Sequence, residues 1–321
     1  MAVVRVPVIV GPTAVGKTAV ALALKAFWPL EVISADSRQI YRRLDIGTAK
    51  PTRRERQRVV HHGIDAAEPG ERYSAGRYAR DASGWALGVR ERGQLPVVVG
   101  GTGLYVRALV EGLFHEPPLD PDARRDLEAW AGALDSLELV RWAGRLDPSF
   151  KGGGRQRALR AIEVALLTGR PLSYWQERAR ASSVISPWYV RLSAPRPVLH
   201  QRIAARADDM VRRGLIEEVA AVLAEGHPAD APGLDAVGIR EAVEYLHGKR
   251  TRESVAGAVT IATRQYAKRQ ETWFRHQLAG PVLSIDATRP PEDLAETIAR
   301  AWESEQRVET NAEAQPAGGT T

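Results

Sequence analysis

The 321-residue chain has no cysteine, which excludes disulfides and cysteine-ligated zinc sites and fits a cytoplasmic protein. It also lacks any apolar run approaching membrane-spanning length, so no transmembrane helix and no membrane partner are expected. The N-terminus shows no succession of charged, apolar and cleavage regions, so no secretory signal is expected. The adjacent histidines His61 and His62 have no cysteine partners and no metal-ligand spacing, so turn or packing roles are expected for them. No internal repeat is present. What remains is an ordinary soluble balance of 26% charged and 44% hydrophobic residues, long enough to bury a substantial core as one large domain or two. The net charge of +6, carried more by arginine than lysine, suggests a polyanionic partner, although a basic balance alone is common.

The most informative stretch is Gly11-Pro12-Thr13-Ala14-Val15-Gly16-Lys17-Thr18, which fits the phosphate-binding pattern G-x-x-x-x-G-K-[ST]. Its glycines let backbone N–H groups curl around an anion, Lys17 adds a point charge, and the Thr18 hydroxyl suits a magnesium ligand. The apolar run from Ala2 to Val10 reads as a strand, and Lys17 to Phe27 as a helix. A phosphate would therefore sit at a helix N-terminus, where the dipole favours it.

Leu30 to Ala35 reads as a second strand, with Asp36-Ser37-Arg38-Gln39 at its carboxyl end. Tyr41 to Pro51 is irregular, and Ser74 caps a helix running towards Arg92. Leu95 to Val99 is a third strand, closed by the turn Gly100-Gly101-Thr102-Gly103 before a helix from about Leu104. Alternating strand and helix predicts an α/β fold, a doubly wound parallel sheet of the P-loop NTPase-like kind. From Pro117 to about Pro187 only helices are expected (Asp122 to Ala133, Leu137 to Leu146, Arg155 to Thr168), the mark of an inserted all-helical domain. Trp188 to Leu192 and Val282 to Ile285 return to the sheet. Helices cover Pro197 to Glu225 (interrupted near Gly214), Val237 to Leu246, Thr251 to Phe274 and Pro291 to Trp302. The expected organisation is thus 1–116 as the first part of the core, 117–187 as the insertion, 188–302 as the mostly helical remainder, and 303–321 as a disordered tail.

In open α/β sheets ligands gather outside the carboxyl ends of the strands, which places Asp36 and the Gly100–Gly103 turn beside the phosphate loop. Asp36 could act as a general base, bind magnesium through water, hold a ribose, or simply cap a turn. Ser37, Arg38 and Gln39 offer donors and acceptors for a polar ligand, whereas Thr102 alone would more often be a turn residue. Arg157 and Arg160 are helical neighbours, as are Arg264 and Lys268. A basic helix is usually a solvated face. Arg202 and Arg206, four apart, could reach phosphates or face solvent.

Together these segments resemble the tRNA dimethylallyltransferase (tRNA isopentenyltransferase) family. The matching stretches are Gly11 to Thr18, Ile33 to Tyr41, Leu44 to Pro51, Val99 to Tyr105, Gln156 to Arg160, Val237 to Glu241 and Thr263 to Gln270. With no cysteine for the zinc-finger extension of some eukaryotic members, the resemblance is to the bacterial type. It implies transfer of a dimethylallyl group from dimethylallyl diphosphate to N6 of the adenosine just 3′ of a tRNA anticodon. Gly11 to Thr18 and Arg206 would hold the diphosphate, Lys17 would neutralise the leaving group, and Thr18 would help ligate Mg2+. Asp36 would take the proton and Thr102 would orient the amine or a diphosphate oxygen. The implied tRNA contacts are Asp36, Ser37, Arg38, Gln39, Thr102, Arg124, Gln156, Arg157, Ala158, Leu159, Arg160, Arg264 and Lys268. A cytoplasmic monomer is expected. A small-molecule kinase using the loop for ATP, or an NTP-gated RNA-binding protein, are the alternatives.

Overall fold

The protein is described by a computed structural model covering residues 3–112, 120–179 and 185–314, with side chains to 307. The expected insertion boundary at 117 and the last residues of the expected tail lie outside the described residues.

The first half of the sheet follows the apolar runs. Strand β1 (Val4–Val10) leads through the phosphate loop into helix α1 (Lys17–Ala23), extended by a single 3-10 turn at Leu24–Ala26. Then come β2 (Leu30–Ala35), α2 (Arg53–Arg58), the two-residue β3 (His61–His62), α3 (Ala75–Glu91), β4 (Leu95–Gly100) and α4 (Gly103–Glu111). Ser74 caps α3 by accepting from the Arg77 N–H at 3.1 Å. Neither α2 nor β3 was expected. The first carries a local signal, the Thr52/Glu55 capping box, inside a stretch otherwise without periodicity. The second is too short to show alternation.

Two compact units emerge, residues 1–110 with 184–321, and residues 111–183. The second unit contains α5 (Pro121–Gly132), α6 (Ser136–Leu146), α7 (Arg155–Thr168) and α8 (Leu172–Ala179) around its own core of Ala131, Leu139, Ala143, Ala158, Ala161 and Ile162. The first unit resumes with β5 (Ile185–Ser193), α9 (Arg196–Arg212), α10 (Leu215–Ala224), α11 (Ile239–Leu246), α12 (Arg252–His276), β6 (Val282–Asp286) and α13 (Pro291–Ala314).

The six strands form one sheet in the order β3-β2-β4-β1-β5-β6, every pairing parallel. Both faces are covered, which is why β1, β2 and β4 read as continuous apolar runs rather than alternating ones. Val6, Val8 and Val10 pack on one face with α3, α4, α10, α11 and α12; Ile9 points the other way, towards α1 and α13. Register aligns the carboxyl ends: Val10 and Ala35 both pair with Gly100. Gly11, Asp36 and Gly101 therefore leave the sheet side by side, at the point where strand order reverses about β1.

Helix α13 corrects the expected end of order at Trp302. The chain stays helical to Ala314, beyond the point where its polar composition suggested disorder. Trp302 packs on Trp28 and Trp188, and one turn on Glu305 takes the Arg5 guanidinium at 3.0 Å. Good helix formers and the Glu296–Arg300 pair support the same run, so its polarity is that of an exposed helix face.

Candidate active site

The phosphate loop carries the backbone its glycines allow. Gly11 has φ +152°, and a Cβ there would meet the Leu192 carbonyl oxygen at 2.4 Å, so only glycine lets the loop lie against β5. Gly16, at φ +105°, turns the chain into α1. Lys17 Nζ donates to the carbonyls of Gly11 and Pro12 at 2.9 and 2.8 Å, curled over its own loop. Burial lowers its pKa to about 8; Asp36 pulls the value up and Arg206 pushes it down. Burial likewise lowers the Arg206 pKa, against the opposing charge of Asp36. Arg206 donates to Thr13 Oγ1 at 3.3 Å, while Arg202 braces the carbonyls of Val15 and Ala287. Of the two helical arginines, Arg206 is thus the one that reaches the cavity.

Of the four roles left open for Asp36, the turn cap is the one its hydrogen bonds fill. Its Oδ1 caps the turn after β2, accepting from the backbone N–H groups of Arg38 (2.9 Å) and Gln39 (3.4 Å). Its Oδ2 accepts no hydrogen bond among the described residues, and the carboxylate lines two cavities. One has polar walls of Thr13, Arg38, Thr48 and Arg206 and an apolar side of Ile203, Ala207, Met210, Val237 and Val259. The other is smaller and adjoins Lys17, Thr18, Ser34, Gln39 and His61. Thr102 secures the same turn: its Oγ1 accepts from the Ser37 N–H at 3.0 Å and donates to Ser37 Oγ at 3.2 Å. A Cβ on the neighbouring Gly101 would lie 3.6 Å from Lys17 Nζ, so the second glycine turn faces the phosphate-loop lysine.

The other expected contacts separate by environment. Arg38 lines the larger cavity, donating to the Pro232 carbonyl at 3.1 Å and facing Asp235 at 3.7 Å. Gln39, offered as a donor and acceptor for a polar ligand, uses both ends of its amide within the protein. Its Oε1 accepts from Ser34 and its Nε2 donates to the carbonyls of Thr48 and Ala49, tying down the 44–51 loop. Glu218 holds that loop from the other side, accepting from the backbone N–H groups of Asp45, Ile46 and Gly47 at 2.7, 2.7 and 2.8 Å. His61 and His62 take packing roles. His62 bonds Glu31 at 2.7 Å and stacks on Trp85, and His61 bonds the Val59 carbonyl.

Within the helical unit, Ala158 is fully buried, so its side chain cannot be a surface contact, which corrects the expectation for it; Leu159 is partly buried and packs on the core. Arg124 and Arg160 both grip the buried carboxylate of Glu163, which an unpaired burial would destabilise. Gln156 and Arg157 are exposed.

Helix α12 holds what residue-by-residue reading missed. Thr263 and Tyr266 line the Asp36 cavity, and Gln270, one turn further along, is buried against the phosphate loop. Burial and nearby Asp36 raise the Tyr266 pKa to about 12, with a Thr102 hydrogen bond pulling the other way. The 263, 266, 270 spacing is the available signal, whereas Arg264 and Lys268 between them lie on the adjacent face. Arg264 and Lys268 line a different cavity, with Arg196 and His200 of α9.

Comparison with known proteins fits this geometry. The profile of the IPP transferase family matches residues 39–277, and that of isopentenyl transferase matches residues 4–64. A tRNA dimethylallyltransferase of Halorhodospira halophila is 44% identical over 285 residues, covering 87% of this chain and 92% of its own. One from Thermomicrobium roseum is 40% identical over 313 residues, covering 94% and 93%. Among solved structures, the tRNA isopentenylpyrophosphate transferase of Bacillus halodurans superposes with a TM-score of 0.72 at 33% identity, covering 97% of this chain and 99% of that one. A eukaryotic dimethylallyltransferase acting on tRNA gives 0.74 at 25% identity, covering 98% and 81%.

Proposed function

This chain belongs to the IPP transferase family of prenyl-transferring enzymes, and from that premise we propose that it moves a dimethylallyl group from dimethylallyl diphosphate to N6 of the adenosine 3′-adjacent to a tRNA anticodon, releasing diphosphate. The observation that carries the reading is the shared position of Asp36. One carboxylate lines both the cavity of Thr13 and Arg206 and the cavity of Lys17 and Thr18.

The amine nitrogen attacks the allylic carbon as the bond to diphosphate breaks. Lys17 and Arg206 offset the charge that develops on the leaving oxygen, in a site where burial strengthens each interaction. The exocyclic amine is a weak nucleophile until it sheds its proton, and the Oδ2 of Asp36 is the acceptor. Thr102, held by Ser37, orients the amine. The apolar wall of Ile203, Ala207, Met210, Val237 and Val259 suits the prenyl chain and excludes water from the electrophilic carbon.

A hydroxyl and a carboxylate at one small cavity, beside a phosphate loop, are the hard oxygen donors that suit Mg2+ when substrate phosphates and waters complete its shell. Thr18 would hold the ion, which when bound supplies charge to stabilise the departing diphosphate.

The RNA is held by Arg38 at the cavity, by Arg264 and Lys268 on α12, and by Gln156 and Arg157 on α7. A target in a single-stranded loop needs no duplex opening, so extruding the base costs little. Incubation with labelled dimethylallyl diphosphate and bulk tRNA, followed by nucleoside analysis, tests the proposal. Label in dimethylallyladenosine is the expected result. A phosphorylated acceptor formed from ATP would replace it with the kinase reading, and RNA binding without transfer would leave only the binding protein.

A further inference from the structure

Gln270 is a polar side chain buried to 6% exposure on α12, far in sequence from both of its hydrogen-bond partners. Both ends of its amide are engaged. Oε1 accepts from the Thr13 N–H at 2.8 Å, and Nε2 donates to the Gly101 carbonyl at 2.8 Å. One side chain therefore spans the phosphate loop and the second glycine turn. The fit leaves no slack: a Cβ on Gly101 would fall 2.4 Å from Nε2, and one on Gly103 would fall 2.3 Å from the Trp273 ring. The loop at one end presents Lys17 and Thr13, and Arg206 meets it there. The turn at the other end presents Thr102, which fixes Ser37 beside Asp36.

We propose that Gln270 is a positioning residue for transfer, setting the separation between the loop that holds the leaving group and the turn that holds the proton acceptor. The proposal rests on the function given above. Its physical basis is that reacting groups must meet in a near-attack geometry, and a misplacement of about 1 Å can cost about 10²-fold in rate. A brace of this kind acts on the chemical step more than on affinity, because either substrate can still bind its own half of the site.

The test is single-turnover transfer with both substrates saturating, alongside equilibrium affinity for dimethylallyl diphosphate and the thermal midpoint, for the parent, Gln270→Ala and Gln270→Glu. Both variants are expected to slow transfer by about 10- to 100-fold while diphosphate affinity stays within about threefold. The glutamate adds a readout that a merely structural role would not move. When ionised it sets a carboxylate oxygen against the Gly101 carbonyl, and when protonated it can donate there as the amide does, so its rate relative to the parent should recover as pH falls. Gly101→Ala supplies the second: its added Cβ presses on Gln270, so its penalty should shrink in the Gln270→Ala background instead of adding. Parental rates in both variants would overturn the proposal. So would losses confined to affinity and thermal midpoint, or strictly additive penalties with no recovery at low pH. Absence of any dimethylallyladenosine from the parent would instead overturn the proposed function itself.

Discussion

Helix α12 carries two adjacent faces of opposite character. The face of Thr263, Tyr266 and Gln270 turns to the sheet edge, where it lines the Asp36 cavity and bridges the two glycine turns. The face of Arg264 and Lys268 turns to α9 and a cavity that also takes Arg196, Glu271 and the apolar Leu199 and Ile203, where the Nε of Arg264 is buried without a partner among the described residues. Side-chain charge is thus a poor guide to which face meets the chemistry. The polar but neutral face is fixed by hydrogen bonds to backbone and shapes the reacting geometry. The basic face carries charge and suits phosphates, whose recognition needs charge more than exact placement. If this division is right, changes at the cavity side should act on rate and changes on the basic side on salt-dependent affinity.

The largest break is expected at Asp36→Asn, which is nearly isosteric and keeps an oxygen able to cap the turn through the Arg38 N–H. Transfer should fall by about 10²–10⁴-fold, the usual worth of a general base, with tRNA and diphosphate binding retained. Single-turnover rates beside binding isotherms check this, and near-parental turnover would remove Asp36 from the role. Lys17→Ala should follow, weakening diphosphate binding and slowing transfer together, since its charge is present in the ground state and needed more in the transition state. An unchanged rate at saturating substrate would mean that the loop holds something else.

A smaller effect comes from the depressed pKa of Lys17, about 8 in the free protein. Below that value the amine is cationic; above it the charge is lost. Diphosphate affinity should therefore decline as pH rises from about 7 to about 9, and the decline should flatten in Lys17→Ala. Titration of the ligand itself is common to both proteins, so the difference between the two profiles isolates the lysine. Parallel profiles would show that Lys17 does not meet the diphosphate.

The smallest effect tests the basic face. Arg264→Ala should weaken tRNA binding modestly and make the slope of log affinity against log salt shallower by about 0.7, the value for one neutralised phosphate on a single strand. Diphosphate affinity should stay nearly unchanged. Isotherms at several salt concentrations decide it, and an affinity and slope equal to the parent's would make that face idle.

Much of this was legible in order along the chain. β2 and α7 have the limits their apolar patterns and flanking glycines predict, because burial on both faces and helical periodicity are written locally. The phosphate loop was legible for a related reason: only glycine at positions 11 and 16 permits its backbone. Gly11 to Thr18 and Asp36 were placed at one edge on sequence grounds alone, since parallel strands must present their carboxyl ends together. Tertiary structure alone decided which side chains are free. Gln39 is bound to the loop beside it, Arg124 and Arg160 are drawn to the buried charge of Glu163, and Ala158 is in the helical core. Gln270 joins two turns that lie 257 and 169 residues before it. Such pairings depend on which elements the fold brings into contact, and a backbone N–H or carbonyl offers no residue type by which a sequence could announce its partner.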